Sequence, residues 1–502
     1  MQASVLDWLE YGRKNFGNKL AVCDEEENIT FSQYHDKAIG LAKEIVHTGL
    51  SGREPIVVFM DKCAKMLVSF MGIAYAGDFY SPIDIDMPKQ RVDKILEVLQ
   101  PKIVITSKRL KKEFEIFNYD GQYIIYEDVC PVSEDASVEK RKQQIVDTDL
   151  LYVLFTSGST GIPKGVSITH RGVIDCMDWF VEMFHISSND SFGNQAPFFF
   201  DASVPDIFLN LKTCSTLYLI PKDLFAQPVP LLEFLRQKKI STIIWVPSAL
   251  MVVSKLKAVK SVDLTDTLKR VIFCGEVMPN KQLNIWRKYL PKVTYANLYG
   301  PTETTYACTY YLVDREFQDN ETLPIGFPMK NTEIIVLDED DCLIKEPRKI
   351  GELCVRGTGT FSGYYNNWEK THEVFVQNPL NNAYEEKIYK TGDLVEYNEC
   401  GELEYISRKD FQIKHLGHRI ELGEIENAVS SLSGITRCCC LYDEGHARIS
   451  LFIDNNTSKE EIYKHLKSVI PEYMMPGRIV CMDDLPLNAN GKIDRVKLKE
   501  YL

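Results

Sequence analysis

Short runs of β-branched and other apolar residues alternate with helical periods along the first 300 or so of the 502 residues. The run PIVVFM (55–60) leads into a helical period (61–77), and ISTIIWVP (240–247) leads into another. Such alternation is typical of βαβ units and of largely parallel sheets. We therefore expect an α/β core that extends to about residue 321.

The pattern changes twice after this core. Short strands separated by Gly, Pro and Asn turns occupy residues 322–407, which predicts a small antiparallel sheet or barrel. Strands and helices then form a compact α+β pattern over residues 411–502. The expected fold class is α/β: a large N-terminal domain of stacked mixed sheets plus a small antiparallel barrel (1–407), a hinge (408–410), and a small, mobile α+β lid domain (411–502).

Composition excludes several function classes. A net charge of −13 argues against nucleic acid as a partner, because phosphate backbones are bound by clustered Lys and Arg. The 14 cysteines show no zinc or redox spacing, which favours reduced thiols and a cytoplasmic setting. The N-terminus reads as an amphipathic helix, and no apolar run approaches the ~20 residues of a membrane span. We expect a monomer that binds no membrane.

The segment TSGSTGIPKGV (156–166) follows the apolar strand LYVLF (151–155). Its small residues allow backbone N–H groups and hydroxyls to approach phosphate oxygens, which predicts a phosphate-binding loop rather than a plain surface turn. Pro163 and Gly165 depart from the P-loop pattern of kinases and GTPases. The predicted phosphate-binding residues are Thr156, Ser157, Gly158, Ser159, Thr160, Gly161 and Lys164.

This loop resembles the signature loop of the adenylate-forming superfamily, which includes acyl-CoA synthetases, luciferases and the adenylation domains of nonribosomal peptide synthetases. Further motifs of that superfamily follow in the expected order, and the resemblance spans nearly the whole chain. They are YGPTET (299–304), GELCVRG (351–357), YKTGD (389–393), RKD (408–410), GHR (417–419) and NGKIDR (490–495). The resemblance implies that ATP activates a carboxylic acid as its acyl-AMP, and that a thiol then accepts the acyl group.

Two carboxylates are candidates for nucleotide binding. Glu303 follows a predicted strand and suits Mg²⁺ beside a triphosphate, although a helix start capped by Thr302 is an alternative. Asp393 suits two ribose hydroxyls, with a turn-forming role as the alternative. The resemblance assigns Glu303 to the metal, Tyr299 and Asn297 to adenine, and Arg408 to the ribose. The full set of ATP-binding residues that it implies outside the loop is Asn297, Tyr299, Gly300, Thr302, Thr304, Asp393, Tyr405, Arg408 and Lys492.

Lys492 lies in a polar loop, where most lysines are solvated. The resemblance makes it catalytic together with Glu303 and Thr302, because it matches the lysine that bridges the substrate carboxylate and the α-phosphate. An ammonium there stabilises the charge that develops as pyrophosphate leaves. The resemblance also implies that the lid rotates about Asp410 and brings Gly417 to the tunnel through which the thiol enters.

Asp201 follows three phenylalanines, and a carboxylate there is costly unless a substrate ammonium pairs with it; a helix cap is the alternative. FDASV (200–204) resembles the amino-acid-binding segment of peptide synthetase adenylation domains, in which the matching aspartate binds the α-amino group. The implied pocket residues are Ala202, Pro205, Trp245, Ile272, Cys274, Gly275, Leu298, Tyr306 and Ala307. None is charged, which predicts an uncharged substrate side chain.

A closer resemblance is to the stand-alone D-alanine ligases that load the carrier protein of teichoic acid modification. It rests on FCGE (273–276), on the stretch 410–426, and on a chain that ends shortly after Lys492 without a fused carrier domain. Ala202, Pro205 and Trp245 depart from the pocket expected for D-alanine. We expect ATP and Mg²⁺ as cofactors, with an amino acid and a phosphopantetheinylated carrier protein as partners. The alternatives are another uncharged amino acid for nonribosomal peptide synthesis, an acyl-CoA synthetase, and a non-catalytic nucleotide-binding relative.

Overall fold

The structure is a computed structural model that describes residues 4–158, 162–432, 435, 437–454, 457–482, 484–487 and 493–502. Strands and helices alternate through the first 330 residues, as the sequence predicts. Within the described ranges no helix combines the length and the apolar character that crossing a membrane requires.

The first part of the chain contains the strands β1 (Leu20–Cys23), β2 (Asn28–Thr30), β3 (Pro55–Phe59), β4 (Phe79–Ile83), β5 (Ile103–Thr106), β6 (Gln122–Ile125), β7 (Leu150–Thr156), β8 (Lys164–Thr169), β9 (Ser191–Asn194), β10 (Thr216–Leu219), β11 (Thr242–Trp245), β12 (Arg270–Phe273), β13 (Thr294–Tyr299), β14 (Thr309–Leu312) and β15 (Phe327–Pro328). Its α-helices are α1 (Leu6–Phe16), α2 (Phe31–His47), α3 (Ala64–Tyr75), α4 (Lys89–Leu99), α5 (Lys111–Phe114), α6 (Ala136–Lys142), α7 (His170–Phe184), α8 (Val204–Thr213), α9 (Pro228–Gln237), α10 (Pro247–Lys255) and α11 (Asn280–Tyr289). Short 3₁₀ turns lie at Tyr126–Asp128, Asp201–Ser203, Lys222–Ala226, Ala258–Lys260 and Thr302–Thr304.

These strands form mixed sheets, which confirms the predicted α/β class. One sheet has the order β15-β14-β13-β12-β11-β9-β10-β1-β2, with parallel pairing from β13 to β1 and antiparallel pairing at both margins. The other has the order β6-β5-β3-β4-β7-β8 and is parallel except for the β7–β8 pair. Parallel strands bring their carboxyl ends to one edge, where open α/β sheets bind ligands.

The pleat of the first sheet separates two hydrophobic clusters. Ile272 of β12 pairs with Ile244 of β11, and both face the main core with α2, α3, α7 and α8. Phe273 pairs with Trp245, and both face a second cluster under α9, α10 and α11. Neighbouring residues of one strand point to opposite faces, so side chains one position apart enter different cores.

The second part of the chain supplies an antiparallel sheet, as predicted. Its strands are β16 (Thr332–Leu337), β17 (Gly351–Gly357), β18 (Phe375–Gln377), β19 (Lys387–Tyr397) and β20 (Leu403–Arg408), and α12 (Trp368–Val374) lies among them. The order is β16-β17-β19-β18, and β20 also pairs with β19. The β19–β20 pairing places Asp393 opposite Arg408.

The third part is the predicted α+β unit. It contains β21 (Gln412–His415), β22 (His418–Glu421), β23 (Cys438–Asp443), β24 (Arg448–Ile453) and β25 (Arg478–Cys481), with α13 (Leu422–Ser430), α14 (Lys459–Val469), α15 (Arg495–Leu498) and 3₁₀ turns at Glu472–Met474 and Lys499–Tyr501. Strands β21 and β22 form a hairpin, and β23, β24 and β25 form a small sheet. We call residues 411–502 the lid and the preceding residues the body.

A buried ion pair joins the lid to the body. Arg91 of α4 pairs with Glu424 of α13, and their side chains are 3% and 8% exposed. Removing one partner of such a pair leaves an uncompensated buried charge, which costs far more than losing a surface pair.

Trp286 offers a test of the second cluster, because its side chain is fully buried and its indole N–H donates to the Leu250 carbonyl at 3.1 Å. We expect Trp286→Ala to lower the free energy of unfolding by about 3–5 kcal/mol, through lost burial and the cavity left behind. Trp368→Ala is the matched control, because Trp368 is 73% exposed. Urea titrations followed by circular dichroism measure both variants, and equal losses would contradict this packing.

Candidate active site

The phosphate loop joins β7 to β8 as a hairpin closed by the Thr156 and Lys164 pair. Gly158 must be glycine, since a Cβ there would lie 1.9 Å from the Ile162 carbonyl oxygen. Ser159, Thr160 and Gly161 lie outside the described residues. The loop therefore holds its ends rigidly and presents the Lys164 ammonium at its C-terminal side.

Glu303 occupies the turn that follows β13 and is fully buried. Its Oε1 accepts a hydrogen bond from the Tyr364 hydroxyl at 2.7 Å, and its Oε2 lies 2.7 Å from Nη1 of Arg419. Burial opposes ionisation, but Arg419 and Lys164 hold the pKa of Glu303 at about 2. Glu303 is thus a buried anion whose partners come from distant parts of the chain.

The residues around Glu303 leave no room for the alternative of a capped helix. The Thr302–Thr304 turn ends at Thr305, and both Thr305 and Tyr306 are left-handed, with φ of 52° and 85°. Such conformations are strained in β-branched and aromatic residues and cluster at functional sites. Here they redirect the chain so that Tyr306 enters the main core.

The nucleoside residues predicted from the sequence are brought together between β13 and the antiparallel sheet. The Tyr299 hydroxyl donates to Asp393, and Nη1 of Arg408 lies 2.9 Å from Oδ1 of the same carboxylate. The rings of Tyr299 and Tyr405 are 6.4 Å apart. Asn297, one position removed on β13, donates from Nδ2 to the Pro324 carbonyl at 2.8 Å.

Gly300 belongs to this group through its backbone. A Cβ there would lie 2.5 Å from the Cα of Ala307, so only glycine allows the two backbones to approach. Thr302 and Thr304 are both buried in the turn that follows, and the Thr304 hydroxyl donates to the Pro301 carbonyl.

Asp201 lies in the 3₁₀ turn before α8, beside the Thr302 side chain, which is within hydrogen-bond reach of its carboxyl. Burial raises the pKa of Asp201, and the Thr302 hydrogen bond partly offsets this effect. The residue that precedes α8 is Ser203, and no side chain caps that helix. Asp201 is therefore placed at the reaction centre and does not cap α8.

Most of the predicted pocket residues share the main hydrophobic cluster. Its members from that prediction are Ala202, Ile272, Cys274, Leu298, Tyr306 and Ala307. Pro205 is buried in the first turn of α8, and Gly275 has a φ of 97° directly after Cys274. The Cys274 thiol lies 3.9 Å from the Tyr306 carbonyl oxygen, which joins two walls of the cluster.

Trp245 is not brought together with the other pocket residues. Its side chain lies in the second cluster, its indole N–H donates to the Gly193 carbonyl at 2.8 Å, and its ring meets Phe225 edge-on at 5.2 Å. The strand pleat accounts for this, because Trp245 pairs with Phe273 and not with Ile272.

A second buried carboxyl lies below this pocket. Asp206 of α8 accepts a hydrogen bond from Asn194 at 2.9 Å, and burial raises its pKa to about 8. Asp206 and Asp201 both contribute to the raised pKa of Tyr306. Since Asp206 is largely protonated at neutral pH, it adds no full negative charge to the pocket.

The hairpin of the lid inserts its tip at the edge of this site. Gly417 has a φ of 81°, its N–H donates to Oε1 of Glu276 at 2.8 Å, and a Cβ there would lie 2.8 Å from Val246. Oε2 of Glu276 accepts from the Ser248 N–H at 2.8 Å. One carboxylate thus binds a backbone N–H of the lid and another of the body.

The other predicted lid residues divide into two groups. Arg408 binds Asp410 with a bidentate fork at 2.7 and 2.6 Å, so the predicted hinge residue is tied to the predicted ribose-binding arginine. Lys492 lies outside the described residues, and its assignment stays a prediction.

Sequence reasoning missed four residues that contact this site. Tyr364 and Arg419 bind Glu303, Glu421 pairs with Lys164, and Glu276 binds Gly417. Arg419 and Glu276 stand in the recognised motifs GHR and FCGE, so their positions carried a signal although no role was assigned. Tyr364 lies in none of those motifs.

The chain was compared with known proteins. Residues 9–365 match the AMP-binding enzyme family, and residues 424–492 match the C-terminal domain of AMP-binding enzymes. Gramicidin S synthase 1 of Brevibacillus brevis is 32% identical over 489 residues, which cover 96% of this chain and 43% of that protein. A D-alanine–D-alanyl carrier protein ligase of Bacillus cytotoxicus is 31% identical over 512 residues, which cover 98% of each chain.

The solved structures agree on the fold. Holo-PA1221, described as a nonribosomal peptide synthetase protein containing adenylation and PCP domains, superimposes with a TM-score of 0.84 at 21% identity, covering all of this chain and 84% of that one. At this identity the likeness shows the fold. The chain spans less than half the length of the synthases that it matches first, at 43%, 45% and 18% of them.

The Tyr364 hydrogen bond to Glu303 can be tested by one atom. We expect Tyr364→Phe to lower the free energy of unfolding by about 1.5–3 kcal/mol, the usual contribution of a hydrogen bond to a charged group. Tyr365→Phe removes the same atom from the next residue, which contacts the Phe79 ring at 5.5 Å and not Glu303. Denaturant titrations that show equal losses in both variants would refute the role of this bond.

Proposed function

Since the chain belongs to the AMP-binding enzyme family, we propose that it converts an amino acid and ATP into aminoacyl-AMP and pyrophosphate. It then transfers the aminoacyl group to the phosphopantetheine thiol of a carrier protein. The observation that carries this proposal is the Asp201 carboxyl, which lies beside Thr302 between the nucleotide residues and an apolar pocket. A substrate ammonium would pair with that carboxylate and direct its own carboxylate at the nucleotide.

The first step is substitution at the α-phosphorus of ATP. A carboxylate oxygen of the amino acid bonds to that phosphorus while the bond to the bridging oxygen breaks, and pyrophosphate leaves with the electron pair. Lys164 and the phosphate loop hold the polyphosphate, Asp393 and Arg408 hold the ribose, and Tyr299 contacts the base. Lys492, placed from the sequence alone, offsets the repulsion between the two anions.

Magnesium fits this site only together with ATP. Among the described residues no group of three or more His, Cys, Asp and Glu side chains converges on one point. Glu303 therefore offers one buried carboxylate, and Mg²⁺ commonly takes one or two carboxylates plus substrate phosphates. The ion would supply charge neutralisation for the leaving pyrophosphate.

The pocket favours an uncharged substrate side chain. Its walls are the residues of the main hydrophobic cluster, and Asp206 beneath them is largely protonated at neutral pH. With Trp245 on the opposite face of the sheet, the walls next to Asp201 are aliphatic except for Tyr306. The relative named D-alanine–D-alanyl carrier protein ligase supports a small amino acid and a carrier-bound thiol.

The second step uses the lid in the position described above. The thiolate sulfur bonds to the acyl carbon, the bond from that carbon to the phosphate oxygen breaks, and AMP leaves. We place the domain boundary at 408–410, with Asp410 as the hinge and Gly417 beside the route of the thiol. The stack of His418 on Tyr473 at 3.7 Å, with Phe200 edge-on at 4.3 Å, would line that route next to Asp201.

The test is amino-acid-dependent exchange of labelled pyrophosphate into ATP, measured with D-alanine, L-alanine, glycine, the other standard amino acids and acids that lack an amine. We expect one uncharged amino acid to give strong exchange, and Lys492→Ala to abolish it. A response to D-alanine would identify a D-alanine ligase, and a response to another amino acid would point to peptide synthesis. Exchange only with acids that lack an amine would refute the role of Asp201.

The raised pKa of Asp201 predicts a pH dependence of amino acid binding. A protonated Asp201 cannot pair with the substrate ammonium, so KM for the amino acid rises as pH falls through this pKa. Because burial raises that pKa, the increase begins at a higher pH than for an ordinary aspartate. Steady-state kinetics across acidic pH measure the effect. Asp201→Asn is the control: its KM should be high and independent of pH, and a flat wild-type KM would contradict the pairing.

A further inference from the structure

Strand β22 of the lid lies across the phosphate loop of the body. The Ser157 hydroxyl donates to the Arg419 carbonyl at 2.8 Å, and the same oxygen accepts from the Glu421 N–H at 3.1 Å. A residue of the phosphate loop therefore holds two backbone groups of the lid. In this arrangement the side chains of Arg419 and Glu421 are directed into the nucleotide site.

These two side chains pair with the groups that the nucleotide would need. Arg419 lies 2.7 Å from Glu303, and Glu421 lies 3.3 Å from the Lys164 ammonium. Tyr364 binds the other oxygen of Glu303, so both oxygens have protein partners. All three side chains in these pairs whose exposure matters are shielded: Glu303 is fully buried, Glu421 is 7% exposed and Lys164 is 14% exposed.

We propose that Arg419 takes the place of the metal-bound pyrophosphate at Glu303, so that the lid reaches its acyl-transfer position only after pyrophosphate has left. Two cations at one buried carboxylate repel each other, and Lys164 cannot bind a phosphate and Glu421 through the same protons. Once pyrophosphate leaves, Glu303 needs a new cation because it is buried, and Arg419 supplies it. Arg419 is a positioning residue that orders the two half-reactions. This inference rests on the proposed function.

Two other contacts hold the lid without touching the phosphate site. They are the Arg91–Glu424 pair and the Glu276–Gly417 hydrogen bond. The competition with pyrophosphate therefore depends on Arg419 and Glu421, and it can be removed while these anchors remain.

The experiment is calorimetric titration of magnesium pyrophosphate into the full chain, without other substrates. We expect Arg419→Met to bind magnesium pyrophosphate about tenfold more tightly than the wild type, a usual size for coupling between two sites. A simple charge argument predicts the opposite, because Arg419→Met removes a positive charge from an anion site. Equal or weaker binding by Arg419→Met would overturn the proposal.

Two further variants control the experiment. Arg448→Met removes a lid arginine whose partner, Asp443, also lies in the lid, and should bind magnesium pyrophosphate as the wild type does. Arg419→Lys keeps a cation and should restore most of the wild-type affinity, whereas tight binding by Arg419→Lys would count against the cation. Thermal unfolding of each variant confirms that it is folded before titration.

A second measurement concerns acyl transfer. Added magnesium pyrophosphate should slow thiol transfer from preformed aminoacyl-AMP in the wild type by competing with the lid, and an unaffected rate would count against the proposal. The exchange assay separates the two claims. Absence of exchange in the wild type refutes the proposed function, whereas unchanged magnesium pyrophosphate affinity in Arg419→Met refutes the lid competition alone.

Discussion

A single buried carboxylate, that of Glu303, ties three parts of the chain together. It has no solvent exposure, and an unpaired charge in such a place costs of order several kcal/mol. Arg419 of the lid provides the charge, and Tyr364, which follows the antiparallel strand β17, provides the second hydrogen bond. The position of the lid on the body therefore follows from the need of one anion for a cation.

The strand pleat is the second constraint on the site. In β12, Ile272 faces the apolar pocket and Phe273 faces the second core, so the sheet builds a binding wall and a structural layer from adjacent residues. The end of β13 then carries the site residues Tyr299, Gly300 and Glu303 in one short turn. The left-handed Thr305 and Tyr306 redirect the chain there, which is where strain is expected if it serves the site.

How far the sequence predicts this arrangement depends on the distance between partners. The alternation of strands and helices predicts the mixed sheets, and the motifs place Glu303, Asp393 and Arg408 correctly because each stands at a strand end or on a paired strand. Arg419 and Tyr364 are 116 and 61 residues from Glu303, and only tertiary packing brings them to it. Trp245 fails for a local reason, since motif counting ignores which face of the pleat a residue occupies.

The contacts of the lid differ in what they can sense. Glu276 and Arg91 bind groups that no substrate needs, so they favour this lid position whether or not nucleotide is bound. Arg419 and Glu421 bind the two side chains that polyphosphate would also bind, so their contribution exists only when it is absent. A lid held by the first kind alone would close over bound pyrophosphate as readily as over aminoacyl-AMP. The second kind makes the same closure depend on which product has left, because a ligand shifts an equilibrium only by its different affinity for the two states.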